Sequence, residues 1–308
     1  MSLSRRTTGT MFAMPWIVGL AVFALYPFLA SIYYSMTNFS VLRSPVWVGL
    51  DNYRAMAGDS VFWKVLWNTL ALSVLCISGG IVISLGLALL MNTVRRGQTL
   101  YSSIFYVPIL IPSVVSAIVW AWIYNAQCGL LNGAIDPLLS AGNSMRKALN
   151  PALAGDALWS APDWKSNWPL SCLFILTMWS IGQTAFIYLA KMQDVPEEFY
   201  EAAEIDGAST WQKIRYVTIP TISPIILFNT IMAIIGTLQM FTEPYLIFPE
   251  GGTDRSAYFL PQYIYDNAFN FMRMGYACAL SCILFVVIVL LTVLAFRLSR
   301  DRVYYAGQ

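Results

Sequence analysis

An all-α, polytopic membrane protein with six transmembrane helices is the fold class that this sequence predicts, and three observations predict it. The 308-residue chain is 58% hydrophobic and only 11% charged, whereas soluble domains carry roughly a quarter charged residues. Six stretches without Asp, Glu, Lys or Arg occur at 7–42, 65–94, 97–135, 166–190, 216–242 and 274–296. Each supplies the ~20 residues that cross a bilayer as a helix. None shows the strict alternation of a β-barrel strand, so the helix is the way for a spanning backbone to satisfy its own amides in lipid. The sequence therefore reads as one transmembrane domain over 1–308, with spans near 11–36, 65–93, 100–124, 169–190, 222–248 and 274–297.

Each element has its own local signal. The first apolar tract follows Arg5-Arg6 but lacks a Phe-Leu-Lys sequence and is too long for a signal-peptide core, so it reads as an uncleaved first helix. Residues 38–64 form a short outer loop punctuated by Ser44-Pro45, Gly49 and Gly58, with a brief helix expected at 51–56. In the second span Cys76, Gly80, Ser84 and Ala88 recur at i, i+4 and make a small-residue stripe suited to close helix contact. The longest connection, 125–168, is rich in Gly, Asn, Pro, Ser and Trp, and Trp159, Trp164 and Trp168 suit either an interfacial belt or a docking surface. A last outer loop over 250–272 opens with Gly251-Gly252.

Charge sets the orientation and narrows the chemistry. With both termini cytoplasmic, the inner segments hold Arg5, Arg6, Arg95, Arg96, Lys191, Lys213, Arg215, Arg297, Arg300 and Arg302 of the 18 Lys and Arg, crowded at membrane ends where the positive-inside effect is strongest. The absence of histidine rules out a Ser-His-Asp triad and a His-bearing metal site. Of the five cysteines, Cys76, Cys172, Cys278 and Cys282 lie in apolar tracts and Cys128 near a helix end; with no CxxC pair, they read as small hydrophobes. A net charge of +2 without a basic run gives no footprint for nucleic acid.

The most polar stretch is Glu197 to Pro224, EEFYEAAEIDGASTWQKIRYVTIPTISP, between two apolar runs. Asp194-Val195-Pro196-Glu197 reads as an N-cap, a first-turn proline and a capping-box glutamate. Asp206-Gly207 supplies a stop, because glycine takes the left-handed conformation that ends a helix. Ser209-Thr210-Trp211-Gln212 then supplies a second capping box, and this second short helix is expected to end before Ile219-Pro220, with Ser223-Pro224 starting the fifth span. A helix-turn-helix across the cytoplasmic face at 192–221 follows.

The order Glu201-Ala202-Ala203, Asp206-Gly207-Ala208, Trp211, Ile219-Pro220 and Pro224 resembles the EAA loop of permease subunits in binding-protein-dependent ABC importers. The likeness extends to Tyr106-Val107-Pro108, Ile118-Val119-Trp120, Gly129-Leu130-Leu131-Asn132, Trp179 ahead of Ile187-Tyr188-Leu189-Ala190, and Phe241, Glu243 and Tyr245 before Gly251-Gly252. These are similar to carbohydrate permeases of the maltose-transporter type. The resemblance implies that 192–221 is a cytoplasmic coupling helix seated on a dimeric ATP-binding subunit, with Glu198, Glu201, Ala202, Ala203, Asp206, Gly207 and Ala208 at the contact. It implies a second homologous permease, an external or periplasmic substrate-binding protein and a carbohydrate substrate in the bacterial or archaeal inner membrane. The chain lacks a GxxxxGK[ST] loop, so ATP and Mg are expected on the partner subunits, with no cofactor and no enzymatic activity here.

Polar residues inside spans are candidates for the sugar path. On the fifth span Asn229, Met232, Gly236, Gln239 and Glu243 recur at three- and four-residue steps, one face of a straight helix. Glu243 lies nearly twenty residues past Pro224, which at about 1.5 Å per residue places it near the outer boundary, where snorkelling competes with a path role. Trp179 and Gln183, at i and i+4, offer a stacking face and an amide, or ordinary helix packing. An ion-coupled secondary transporter of a small polar solute is the competing reading.

Overall fold

The computed structural model describes residues 5–41, 43–93, 97–149 and 160–300, with side-chain detail in the first helix from Phe12 onward. Its helices are α1 (Arg5–Leu20), α2 (Tyr26–Ser35), α3 (Asp51–Ala57), α4 (Ser60–Thr93), α5 (Gln98–Tyr106), α6 (Ser113–Ile123), α7 (Leu130–Leu149) and α8 (Trp164–Asn167). They continue as α9 (Pro169–Trp179), α10 (Gly182–Gln193), α11 (Glu197–Ile205), α12 (Thr210–Lys213), α13 (Ile219–Leu238), α14 (Thr242–Ile247), α15 (Leu260–Tyr265) and α16 (Met274–Ser299). Among the described residues four stretches, Phe12–Ser35, Ser60–Thr93, Thr210–Ile247 and Met274–Ser299, are long and apolar enough to cross a membrane, and the number rises to six if each of two bent pairs is one span.

Those two pairs fall on the expected third and fourth spans and are bent. α5 and α6 meet at 96°, and α9 and α10 at 47°. The first bend follows from Pro108 and Pro112: Val107–Leu110 tightens to a 3-10 turn, and Ile111, just before Pro112, is extended at ψ 124°. A residue preceding proline is disfavoured in the helical region by the Pro Cδ clash. The second bend, at Ser180-Ile181, has a tertiary cause. Gly182, at the start of α10, lies so close to the α5 backbone that a Cβ there would stand 1.9 Å from the Phe105 carbonyl oxygen.

The fifth span also departs from expectation. α12 does not stop before Pro220; it runs on through a π-helical segment, Ile214–Thr218, into α13. The wide turn closes with the Ile219 amide donating to the Ile214 carbonyl, and Pro220 falls in the next turn. Pro224 removes the amide that the Pro220 carbonyl would otherwise accept, and the Ser223 hydroxyl donates to that carbonyl at 2.6 Å instead. Both prolines are thereby carried inside one helix.

The long outer segment is more ordered than its composition suggests. Asn125 Oδ1 accepts from the amides of Gln127 and Cys128, and the amphipathic α7 follows. Asn132 Nδ2 donates to the carbonyls of Ala126 and Pro162, while Trp164 Nε1 donates to Asn132 Oδ1 at 2.6 Å. Trp164 is thus half-buried as a strut; Trp168, its ring tilted at 5.6 Å from it, stays exposed, and Trp159 lies outside the described residues.

The chain divides into two compact units, Met1–Trp63 with Leu260–Val287 and Lys64–Phe259 with Ile288–Gln308. In the first, Phe28 packs edge-on against Phe285 at 5.0 Å, and Asn52 Nδ2 donates to the carbonyls of Ser35 and Thr37. The Asp59 carboxylate accepts from the Tyr263 and Tyr276 hydroxyls and from the Val61 amide. Burial pushes its pKa up, but these hydrogen bonds outweigh burial and hold it below the usual value of 3.8. In the second unit, one apolar cluster gathers Leu72, Cys76, Tyr124, Cys172, Leu176 and Phe259, and another gathers Ala88, Met91, Tyr188, Met192 and Ile222. Within the predicted small-residue stripe Cys76, Ser84 and Ala88 are buried, but the closest approach is made by Gly79, where a Cβ would meet the Phe174 ring at 2.5 Å.

Candidate functional site

Two features of the second unit fall where the sequence places function. The first is the polar loop. The expected Asp194 cap is not formed: α10 runs to Gln193, the Asp194 carboxylate accepts from Lys191 Nζ at 3.2 Å, and Pro196 stands at the N-cap of α11. Proline explains the shift, because Val195 ahead of it is disfavoured as helix. At the other end the Gly207 amide donates to the Glu204 carbonyl at 3.0 Å and the Ala208 amide to the Ala203 carbonyl at 2.9 Å, a Schellman closure with Gly207 at φ +74°. The second capping box forms as read: Ser209 N donates to Gln212 Oε1 at 2.7 Å, and Gln212 N donates to Ser209 Oγ at 3.4 Å.

Side chains then tie the loop to the membrane helices. Lys213 pairs with Glu204, and the Tyr200 and Thr218 hydroxyls lie 3.0 Å apart. What is left outward is a mixed surface. Glu198, Glu201, Ala202, Asp206 and Gly207 are exposed, Ala203 and Ala208 half-buried. Around them Ile205 is 87% exposed, Trp211 65% and Phe199 53%. Open apolar side chains thus stand beside acidic ones on this face. Sequence reading missed Ile205 and Phe199, although both are hydrophobes inside an otherwise polar run.

The second feature is a cavity of about 460 Å³. It lies where the fourth and fifth spans both break: Thr177, Ser180, Ile181 and Thr184 line it from one side, and Gly236, Gln239, Phe241, Thr242 and Glu243 from the other. Cys76 and Gly80 of α4 complete the wall, so along α4 the cavity falls between the two apolar clusters. The position of Glu243 follows from the break. Because α13 ends at Leu238 and α14 begins at Thr242, the straight-helix rise does not apply, and Glu243 shares a wall with Gly236. Gln239 is exposed, and the site of a Cβ on Gly236 has nothing within 4 Å.

Other candidates lie elsewhere. Asn229 lies toward Tyr188 within the same unit, away from the cavity lining, and its Nδ2 is buried without a partner among the described residues. Trp179 stacks edge-on against Trp120 at 5.8 Å, and Gln183 is exposed outside the cavity. The 47° bend between them breaks the i, i+4 face on which their pairing rested. Ser180 and Thr184, which the sequence reading passed over, line the cavity; the signal was the Ser180-Ile181-Gly182 break itself. Among the described residues no group of three metal-ligating side chains comes together.

Comparison with known proteins supplies the setting. A family model for the binding-protein-dependent transport system inner membrane component matches residues 80–303. YesP, a probable ABC transporter permease protein of Bacillus subtilis (strain 168), is 32% identical over 307 residues, covering 97% of this chain and 93% of the relative. The lactose transport system permease protein LacF of Rhizobium radiobacter is 31% identical, with 96% of this chain and 94% of that protein covered. A crystal structure of a bacterial alginate ABC transporter, in complex with a periplasmic protein carrying an alginate pentasaccharide, matches with a TM-score of 0.78 over 95% of this chain and 93% of the other. At 21% identity that is a likeness of fold.

Proposed function

The chain belongs to the family of binding-protein-dependent transport system inner membrane components, and on that premise we propose that it is one permease subunit of an ATP-driven importer of a carbohydrate. It is a multi-pass protein of the inner membrane whose termini we place in the cytoplasm. A second homologous permease lines the other half of the path, a periplasmic or external binding protein delivers the solute, and a dimeric subunit binds ATP and Mg. The chain itself performs no chemistry on the solute.

One observation carries the reading: in a single unit, a capped loop with an outward acidic and apolar face continues from its second short helix, α12, into the helix whose far break lines a cavity with polar side chains in its wall. A bilayer-spanning helix does not turn Gln239, Thr242 and Glu243 toward lipid. Sugar hydroxyls need replacement hydrogen bonds there, since an unpaired one in an apolar medium costs several kcal/mol. Gly236, Gln239 and Glu243 therefore serve the path. Glu198, Glu201, Ala202, Ala203, Asp206, Gly207 and Ala208, with Ile205 and Trp211 as apolar anchors, seat the ATP-binding subunit. Names of relatives that include lactose support the carbohydrate reading.

The test is uptake of whatever solute co-purifies with the binding protein. ATP depletion should abolish uptake and a protonophore alone should not; the opposite pattern would establish the ion-coupled alternative. Glu201→Lys should abolish uptake while membrane insertion persists.

A further inference from the structure

We infer that the cavity passes neutral or amino-bearing sugars and rejects anionic ones, with the Glu243 carboxylate as the discriminating group. This rests on the path reading above. Among the lining residues Glu243 is the only Asp, Glu, Lys or Arg, and among the described residues it makes no ion pair. The remaining polar lining is neutral. Thr177 and Thr237 already spend their hydroxyl protons on the Leu173 and Ala233 carbonyls. Ser180, Thr184, Gln239 and Thr242 are the further polar side chains of the wall.

Such a wall matches a polyhydroxylated solute, and the carboxylate adds a sign. A uronate or sulfonate entering it would meet a like charge in surroundings less polarisable than water, with no cation on this wall to offset it. A hydroxyl meets a strong acceptor. A protonated amine meets its counter-charge and forms a charge-assisted hydrogen bond, the stronger kind. The aromatic face comes from Phe241, stacked on Tyr245 at 5.0 Å, and it is indifferent to charge sign.

The potential inside the cavity is measurable without knowing the sugar. Gln239→Cys, in a full complex otherwise free of reactive cysteines, is labelled with the cationic trimethylammonium-ethyl and the anionic sulfonato-ethyl methanethiosulfonates. Rates are normalised to a free thiol. The cationic reagent should be favoured about tenfold, and the preference should fall to the free-thiol ratio when Glu243→Gln is added. Thr184→Cys, on the facing wall, should repeat the result. A preference at the free-thiol value, or one that Glu243→Gln leaves unchanged, overturns the inference and leaves the path reading standing. If neither cysteine reacts with either reagent, the cavity is closed to water, and the path reading falls together with the inference.

Discussion

Gly182→Ala should destabilise the protein even though it adds a single methyl group. A Cβ at this position would lie 1.9 Å from the Phe105 carbonyl oxygen and 2.7 Å from its carbon, and contacts below 3.0 Å are essentially never made by real Cβ atoms. The start of α10 must therefore retreat from α5 by about 1 Å, and the obstacle is backbone, which cannot rotate away. Overpacking of this kind costs about 1–3 kcal/mol. Gly236→Ala is the matched control: nothing lies within 4 Å of its Cβ site, and replacing glycine inside a helix stabilises by roughly 0.5–1 kcal/mol. Thermal denaturation of both variants in detergent, followed by size-exclusion fluorescence, should show Gly182→Ala melting several degrees lower and Gly236→Ala at or slightly above the parent. A Gly182→Ala protein as stable as the parent refutes the close approach of α5 and α10 that sets the break in the fourth span.

Three further outcomes are expected. Gly207 has open space around its Cβ site but sits at φ +74°; Gly207→Ala should cost about 1–2 kcal/mol and Gly207→Asn clearly less, and if both reduce transport equally, the constraint is contact with a partner rather than backbone strain. Asp59 has a folded pKa below 3.8, so its contribution to stability is complete above that value and is lost as pH falls through the folded pKa. Asp59→Asn should flatten the fall in melting temperature between about pH 5 and pH 2, and an unchanged slope would show that the carboxylate is not what titrates. For orientation, Ser209→Cys should resist an impermeant thiol reagent in intact cells while Ser144→Cys is labelled; the reverse would invert the membrane topology.

What the sequence made legible was governed by local physics. The six apolar tracts are visible because charge-free length is a one-dimensional property, and the four long stretches and two bent pairs fall on them. The Ser209 capping box and the Gly207 stop are likewise local, since each involves residues within a few positions. The bend at Pro112 had its signal in print, but the fourth-span bend depends on Phe105, more than seventy residues away from Gly182 in sequence. At that bend Trp179 and Gln183 fall outside the cavity lining. The break at Gln239 likewise lies between Gly236 and Glu243, which line the same cavity. In the long outer segment, a helix of 20 residues was hidden by its own Gly, Asn and Pro content and is anchored by Asn132 and Trp164 from opposite ends of the loop.

If the polar loop and the cavity are two ends of one device, nucleotide will alter the labelling of a single cysteine in the cavity wall. In the reconstituted complex, the reaction rate of Gln239→Cys with a small thiol reagent is measured with and without ATP and Mg. The rate should change clearly on nucleotide addition if closure of the proposed ATP-binding subunits moves α11 and, through the continuous α12–α13 path, the cavity wall. Adding Glu201→Lys should remove the change and leave the nucleotide-free rate as it was. A rate indifferent to nucleotide in the otherwise unaltered complex, despite measured ATP hydrolysis, would contradict the claim.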